Sequence, residues 1–188
     1  EGQPFQTQTG GFVGDASVQV EMNCGEVDAI AADGSGWSVA GTSDDGQAPE
    51  LTGSPTQLVV RAPGRSGVDL SADPWRWQVT LPRAVPVTMD LSVNAGSMTA
   101  LLPAPAGTLR GSISVNAGSA DVCVPDGTAL RIQAGDQPLG STNFEDRGLR
   151  RSGDTWSTPG YDAATSRIEL DVSVNLGSIT LDPEDGCD

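Results

Sequence analysis

A short corner recurs four times in this chain, and it restricts the fold more than any other feature. The copies are Val20-Glu21-Met22-Asn23-Cys24-Gly25, Leu91-Ser92-Val93-Asn94-Ala95-Gly96, Ile113-Ser114-Val115-Asn116-Ala117-Gly118 and Val172-Ser173-Val174-Asn175-Leu176-Gly177. Each has apolar residues three and one before the Asn, and Gly two after it. Apolar residues then return four and six places after the Asn: Val27 and Ala29, Met98 and Ala100, Ala120 and Val122, Ile179 and Leu181. Strand side chains alternate between faces with a period of two, so the odd step from Asn−1 to Asn+4 switches the inward parity. A strand that bends at the Gly and keeps its apolar stripe inside the bend satisfies this. A hairpin does not, because no two-residue reversal of the Asn-Gly kind is present. Asn23, Gly25, Asn94, Gly96, Asn116, Gly118, Asn175 and Gly177 are therefore read as structural corners. Asn suits turns, and stacked Asn amides can pair with one another.

Asn94 and Asn116 stand 22 residues apart, within the range of solenoid repeats. Such a unit must stack on a neighbour to bury its apolar stripe. Val, Ile, Thr and Ser in alternating runs, with no helical period, make the chain all-β. The expected fold is a single-stranded β-solenoid, a β-helix-like coil with Asn-x-Gly corners and loop excursions. The 24 glycines among 188 residues, and only 4% aromatics, suit a narrow coil with a thin core. Residues 1–14, polar with Gly10-Gly11, read as a linker, and residues 15–188 as one elongated domain.

Along the chain, Gln57–Arg61 and Trp75–Pro82 read as strands, and Leu130–Gly135 as a degenerate corner with Gln133 in the Asn place. Residues 32–56 and 136–166 break the period and read as excursions from the coil. Residues 1–20 and the segment around Trp156 are expected to cover its two ends. Cys24 takes a corner place where a small buried residue is expected. Cys123 falls at an outward place, and a Cys123–Cys187 clasp is one possible pairing of the three cysteines.

The net charge of −15 disfavours nucleic acid, whose phosphates call for Lys and Arg. With no His and no Lys, neither a Ser/His/Asp nor a Cys/His arrangement nor a phosphate-cradling loop with Lys can be assembled. Asp44-Asp45, Glu145-Asp146 and Glu184-Asp185 lie in loops, where paired carboxylates are solvated rather than catalytic. Asp33, Asp44 and Asp45 offer oxygen ligands of the calcium type, but the nonapeptide calcium repeat is absent. No enzyme activity, cofactor or metal is expected. The binding candidates are Trp37 and Trp75, as sugar-stacking rings, and Arg147, Arg150 and Arg151, the one basic cluster. No stretch is long and apolar enough to span a membrane, and the expected membrane anchor lies outside a chain that opens at Glu1.

The stretch from Trp77 through Leu181 resembles the toastrack, or putative-adhesin-type, β-solenoid domains of bacterial envelope proteins. The resemblance rests on Trp77-Gln78-Val79-Thr80-Leu81-Pro82, the two copies of Ser-Val-Asn-Ala-Gly-Ser, and Asp154–Tyr161 followed by Arg167–Val172. Similar endings occur in the extracytoplasmic domains of cell-wall-active-antibiotic response proteins and phage-shock-type regulators. The resemblance implies a non-enzymatic extracytoplasmic domain, a rigid sensing or interaction module in envelope-stress signalling with a protein or cell-envelope partner. A cell-surface adhesin or glycan-binding module is the alternative it leaves open.

Overall fold

The computed structural model describes residues 2–63, 75–135 and 139–183. In chain order the strands are β1 (Gln3–Pro4), β2 (Gln8–Gly11), β3 (Ala16–Ala32), β4 (Gly36–Ser43), β5 (Glu50–Ser54), β6 (Gln57–Arg61) and β7 (Trp75–Pro82). There follow β8 (Val87–Leu101), β9 (Thr108–Cys123), β10 (Ala129–Ala134), β11 (Leu139–Thr142), β12 (Arg150–Ser152), β13 (Thr155–Ser157) and, after a 3-10 turn at Tyr161–Ala163, β14 (Arg167–Leu181). All belong to one mixed sheet that does not close.

Four strands, β3, β8, β9 and β14, are 15 to 17 residues long, about three times the usual length. Each contains one Asn-x-Gly corner and continues through it. Pairing is parallel and in register on both sides of the bend. Before it, Val20, Leu91, Ile113 and Val172 stand side by side; after it, Val27, Met98, Ala120 and Ile179 do, and all eight are buried. The expected parity switch is thus present, and the apolar faces of the two arms share one core.

Two contacts make the corners alike. Gly25, Gly96, Gly118 and Gly177 adopt φ between 133 and 140°, a region that residues with a Cβ rarely occupy. A Cβ on Gly96, Gly118 or Gly177 would also lie 1.7 to 1.8 Å from the carbonyl oxygen of the preceding glycine in the column. The Asn two places before each Gly drops out of the backbone register and turns its side chain along the stack. Asn175 Nδ2 donates to Asn116 Oδ1 (2.7 Å), Asn116 Nδ2 to Asn94 Oδ1 (2.6 Å) and Asn94 Nδ2 to Asn23 Oδ1 (3.0 Å).

The stacking order departs from a coil wound in chain order. β3 lies between β8 and the pair β6/β7, which faces its two arms separately. β14 likewise lies between β9 and the pair β10/β11. The first and last long strands are therefore each set one place in from an end. The end places take antiparallel neighbours, β4 and β5 at one end and β13 then β12 at the other. Antiparallel strands need only short turns, whereas parallel ones need crossovers, so locally connected strands finish the stack.

Several sequence expectations change here. Residues 1–14 are not a linker: β1 and β2 pair with β4, and Phe5 and Phe12 are buried in the core. Two aromatics anchor an otherwise polar segment, and residues 3–12 cover one end as expected. Residues 32–56 and, among the described residues of 136–166, residues 139–166 are capping elements rather than excursions, and Phe144 and Leu149 are core residues. Gln133 is no corner; it stands opposite Asp171, four places before Asn175. Cys24 is exposed and free, because the place after the Asn points outward, as the half-exposed Leu176 also shows. Cys123 is buried and disulfide-bonded, and Cys187, its expected partner, lies outside the described residues.

Gly118→Ala is expected to cost about 3 kcal/mol or more, since a backbone clash adds to an unfavourable φ. Asn116→Ala removes two exposed amide hydrogen bonds and is expected to cost about 1–2 kcal/mol. Urea unfolding of both variants measures the difference; equal losses would count against the glycine column as the stricter constraint.

Candidate functional site

The arm before each corner presents a polar outer face. Its outward residues alternate with buried Leu109 and Ile113, Leu130 and Ile132, Leu170 and Val172. Because the strands are in register, these residues form rows across the strands. One row runs Arg110, Glu169, Arg131, Ser157, Arg150. The neighbouring row runs Gln19, Asp90, Ser112, Asp171, Gln133. Between the rows lies a shallow groove of about 550 Å³, floored by Met89, Gly111 and Leu170.

The row of arginines is held by the turn after β13. Gly160, at φ 78°, turns the chain so that Tyr161 is buried beside β10 and β14. Tyr161 Oη donates to Glu169 Oε1 at 2.8 Å, and Arg110 Nε donates to Glu169 Oε2 at 2.8 Å. The guanidinium of Arg131 lies 3.9 Å from the Tyr161 ring centroid and donates to Asp162 Oδ1 at 2.7 Å. In the second row, Ser112 Oγ donates to Asp90 Oδ1 at 2.7 Å, and Gln133 Oε1 accepts from Thr155 Oγ1 at 2.8 Å. Burial, then the bond to the Glu169 carboxylate, pushes Tyr161 up to about 12. Glu169 is held below the usual carboxylate range, chiefly by the Tyr161 hydroxyl and then by the charge of Arg110.

A second cavity of about 370 Å³ lies under the connections around residues 83–86 and 102–107. Its walls include Ala29, Leu81, Val85, Leu102 and Leu109, with Asp15, Arg83 and Arg110 also in its lining.

The residues singled out from the sequence fall in different places. Trp75 and Trp77 are 7% and 1% exposed and pack edge-on, with centroids 5.5 Å apart, so Trp75 presents no platform to a sugar. The half-buried Trp37 lies so close over Gly10 that a Cβ there would meet its ring at 2.3 Å. Arg147 is committed to the backbone, donating from Nε to the Leu181 carbonyl at 2.9 Å. Arg151 donates to the Gly153 carbonyl and sits 5.6 Å from the Trp156 ring. Arg150 alone of the five joins the row that holds Arg110 and Arg131. Asp33 faces Arg83 at 3.8 Å, and Asp45 accepts from Ser43 Oγ and the Gln47 amide. Among the described residues no cluster of His, Cys, Asp or Glu could hold a metal ion.

The residues of the face carry a signal in the sequence that corner reading passes over. Gln19, Asp90, Ser112 and Asp171 each stand four before a corner Asn, while Ser17, Thr88, Arg110 and Glu169 stand six before one. Tyr161 has no such signal, since it comes from outside the repeat.

The chain has one tyrosine, so its tyrosinate absorbance reads Tyr161 alone. The midpoint is expected near 12 rather than 10, and Glu169→Gln is expected to lower it. A raised phenol stabilises the fold fully below pH 10 and ceases to do so as pH rises through about 12. The depressed Glu169 contributes above the ordinary carboxylate range and stops doing so as pH falls through its lowered value. A midpoint of 10 in the folded protein would contradict the buried Tyr161–Glu169 bond.

No family model matches the chain, and no curated protein matches it. Among solved structures, a putative cell adhesion protein from Clostridium sporogenes is similar over 95% of this chain and 99% of that one, with a TM-score of 0.68 and 16% identity. A putative adhesin from Bacteroides fragilis spans 95% of this chain and 97% of that one at a TM-score of 0.31 and 9% identity, too distant to argue from. The first likeness is one of fold: the chain has the architecture of an adhesin-type solved structure. Neither comparison repeats the resemblance to cell-wall-active-antibiotic response or phage-shock-type proteins.

Proposed function

We propose that this chain is a non-enzymatic binding module of adhesin type, displayed outside the cytoplasm and anchored to the cell by a segment beyond this sequence. The observation that carries the reading is the outer face of the arm before the corners. It is a regular array of polar side chains whose positions are set by backbone register, on a fold similar to that of a putative cell adhesion protein. A disulfide at Cys123 suits an oxidising compartment. Adhesion is preferred to envelope-stress sensing because sensing draws on the sequence resemblance alone. Catalysis is left out because, with no His and no Lys in the chain, no activated nucleophile of the Ser/His or Cys/His kind can be assembled.

Beads coated with the domain, scored for retention on immobilised cell-surface material under flow, test the reading. Retention above that of beads bearing an equally acidic unrelated protein is expected, with a loss of several-fold for the Arg131→Ala, Gln133→Ala double variant. Retention no better than the control on every surface would overturn it.

A further inference from the structure

The groove between the two rows has a repeat, a charge balance and unused hydrogen-bonding capacity that together define a ligand. We propose that it binds an uncharged linear polysaccharide laid across the strands, an inference that rests on the surface-binding reading above and names its ligand. The rows repeat at the strand spacing of about 4.8 Å, close to the length of one pyranose ring along an extended glycan. Each strand thus meets one sugar.

The charges choose among polymers. Arg110 and Arg131 are already paired with Glu169 and Asp162, which leaves Asp90 and Asp171 in excess among the residues that line the groove, Arg150 lying beyond it in the row. These carboxylates, in a chain of net charge −15, repel an acidic polymer. The cationic groups of a basic polymer offer only donors and leave the Gln133 amide and the Arg110 nitrogens without acceptors. Polar acceptors and donors alternate along the second row, as Asp90, Ser112, Asp171 and Gln133. No aromatic ring or large apolar side chain projects from either row, so an apolar peptide has nothing to pack on.

The unused capacity fits hydroxyl groups, which both donate and accept. Among the described residues Asp171 accepts no hydrogen bond, and Asp90 and Gln133 each use one side-chain oxygen. The Gln133 amide N–H groups and the terminal nitrogens of Arg110 remain available. A sugar at β14 can donate to Asp171, while its neighbours accept from Gln133 and Arg110.

Affinity electrophoresis through gels containing linear mannan, linear galactan or mixed-linkage glucan tests this, with polygalacturonate and polylysine as charged comparators. At least one neutral polymer is expected to retard the domain, and high salt is expected to leave the retardation in place. Asp171→Ala is expected to weaken binding about tenfold, the effect of losing a hydrogen bond to a charged group. Asp121→Ala, on the other arm, is expected to change nothing, and thermal melts check that both variants are folded. Retardation only by a charged polymer, loss of binding in high salt, or indifference to Asp171→Ala would overturn the proposal. If coated beads still adhere after the target surface is stripped of glycans, this inference fails and the adhesion reading stands; if they adhere to nothing, both fail.

Discussion

Everything in this structure depends on how closely four backbones approach at one column. Gly25, Gly96, Gly118 and Gly177 sit carbonyl against Cα with no room for a side chain, and each holds a φ that a side chain disfavours. The column fixes where each long strand bends. Because it also fixes the register, every other row of side chains follows from it: the Asn ladder two places before it, the buried apolar rows on both arms, and the polar rows on the outer face. One geometrical requirement, met four times, places residues that lie far apart in sequence on the same line.

A stack of this kind has open ends, and the chain closes them with its least repetitive parts. Phe5 and Phe12 bring β1 and β2 against the core at one end. At the other end Trp156 packs on Phe144, with ring centroids 5.8 Å apart, and β12 finishes the sheet of the first arm with exposed Arg150 and Arg151. Short edge strands bearing charge discourage further pairing. The irregular segments therefore protect the stack and also supply what the repeat lacks. Tyr161, which organises the arginine row, arrives from such a segment.

The outer face shows how a regular scaffold becomes a particular surface. Each polar row has one contributor per strand, so its chemistry changes only when a strand changes a residue at a set distance from its Asn. Arg110, Glu169 and Arg131 alternate in sign along one row, and the Tyr161 ring fixes the last two. The large aromatic rings expected to form a sugar platform serve packing instead: in a chain with so few aromatics, Trp75 and Trp77 fill core volume near the end of the stack.

The sequence by itself determined the bend, its four positions and the inward face of each arm, because alternation and the need for glycine are local properties of a strand. It also held the offsets of Asp90, Ser112 and Asp171 from their corners. Only the tertiary structure decided the order of the stack, since a parallel strand finds its neighbour through a crossover of any length and nothing local says that β14 enters between β9 and β10. For the same reason the burial of Phe5 and Phe12, the capping role of residues 139–166 and the place of Gln133 opposite Asp171 were decided there. The groove belongs to that level too: its lining comes from β8, β9, β10 and β14, and they meet because the glycine column leaves one register open to them.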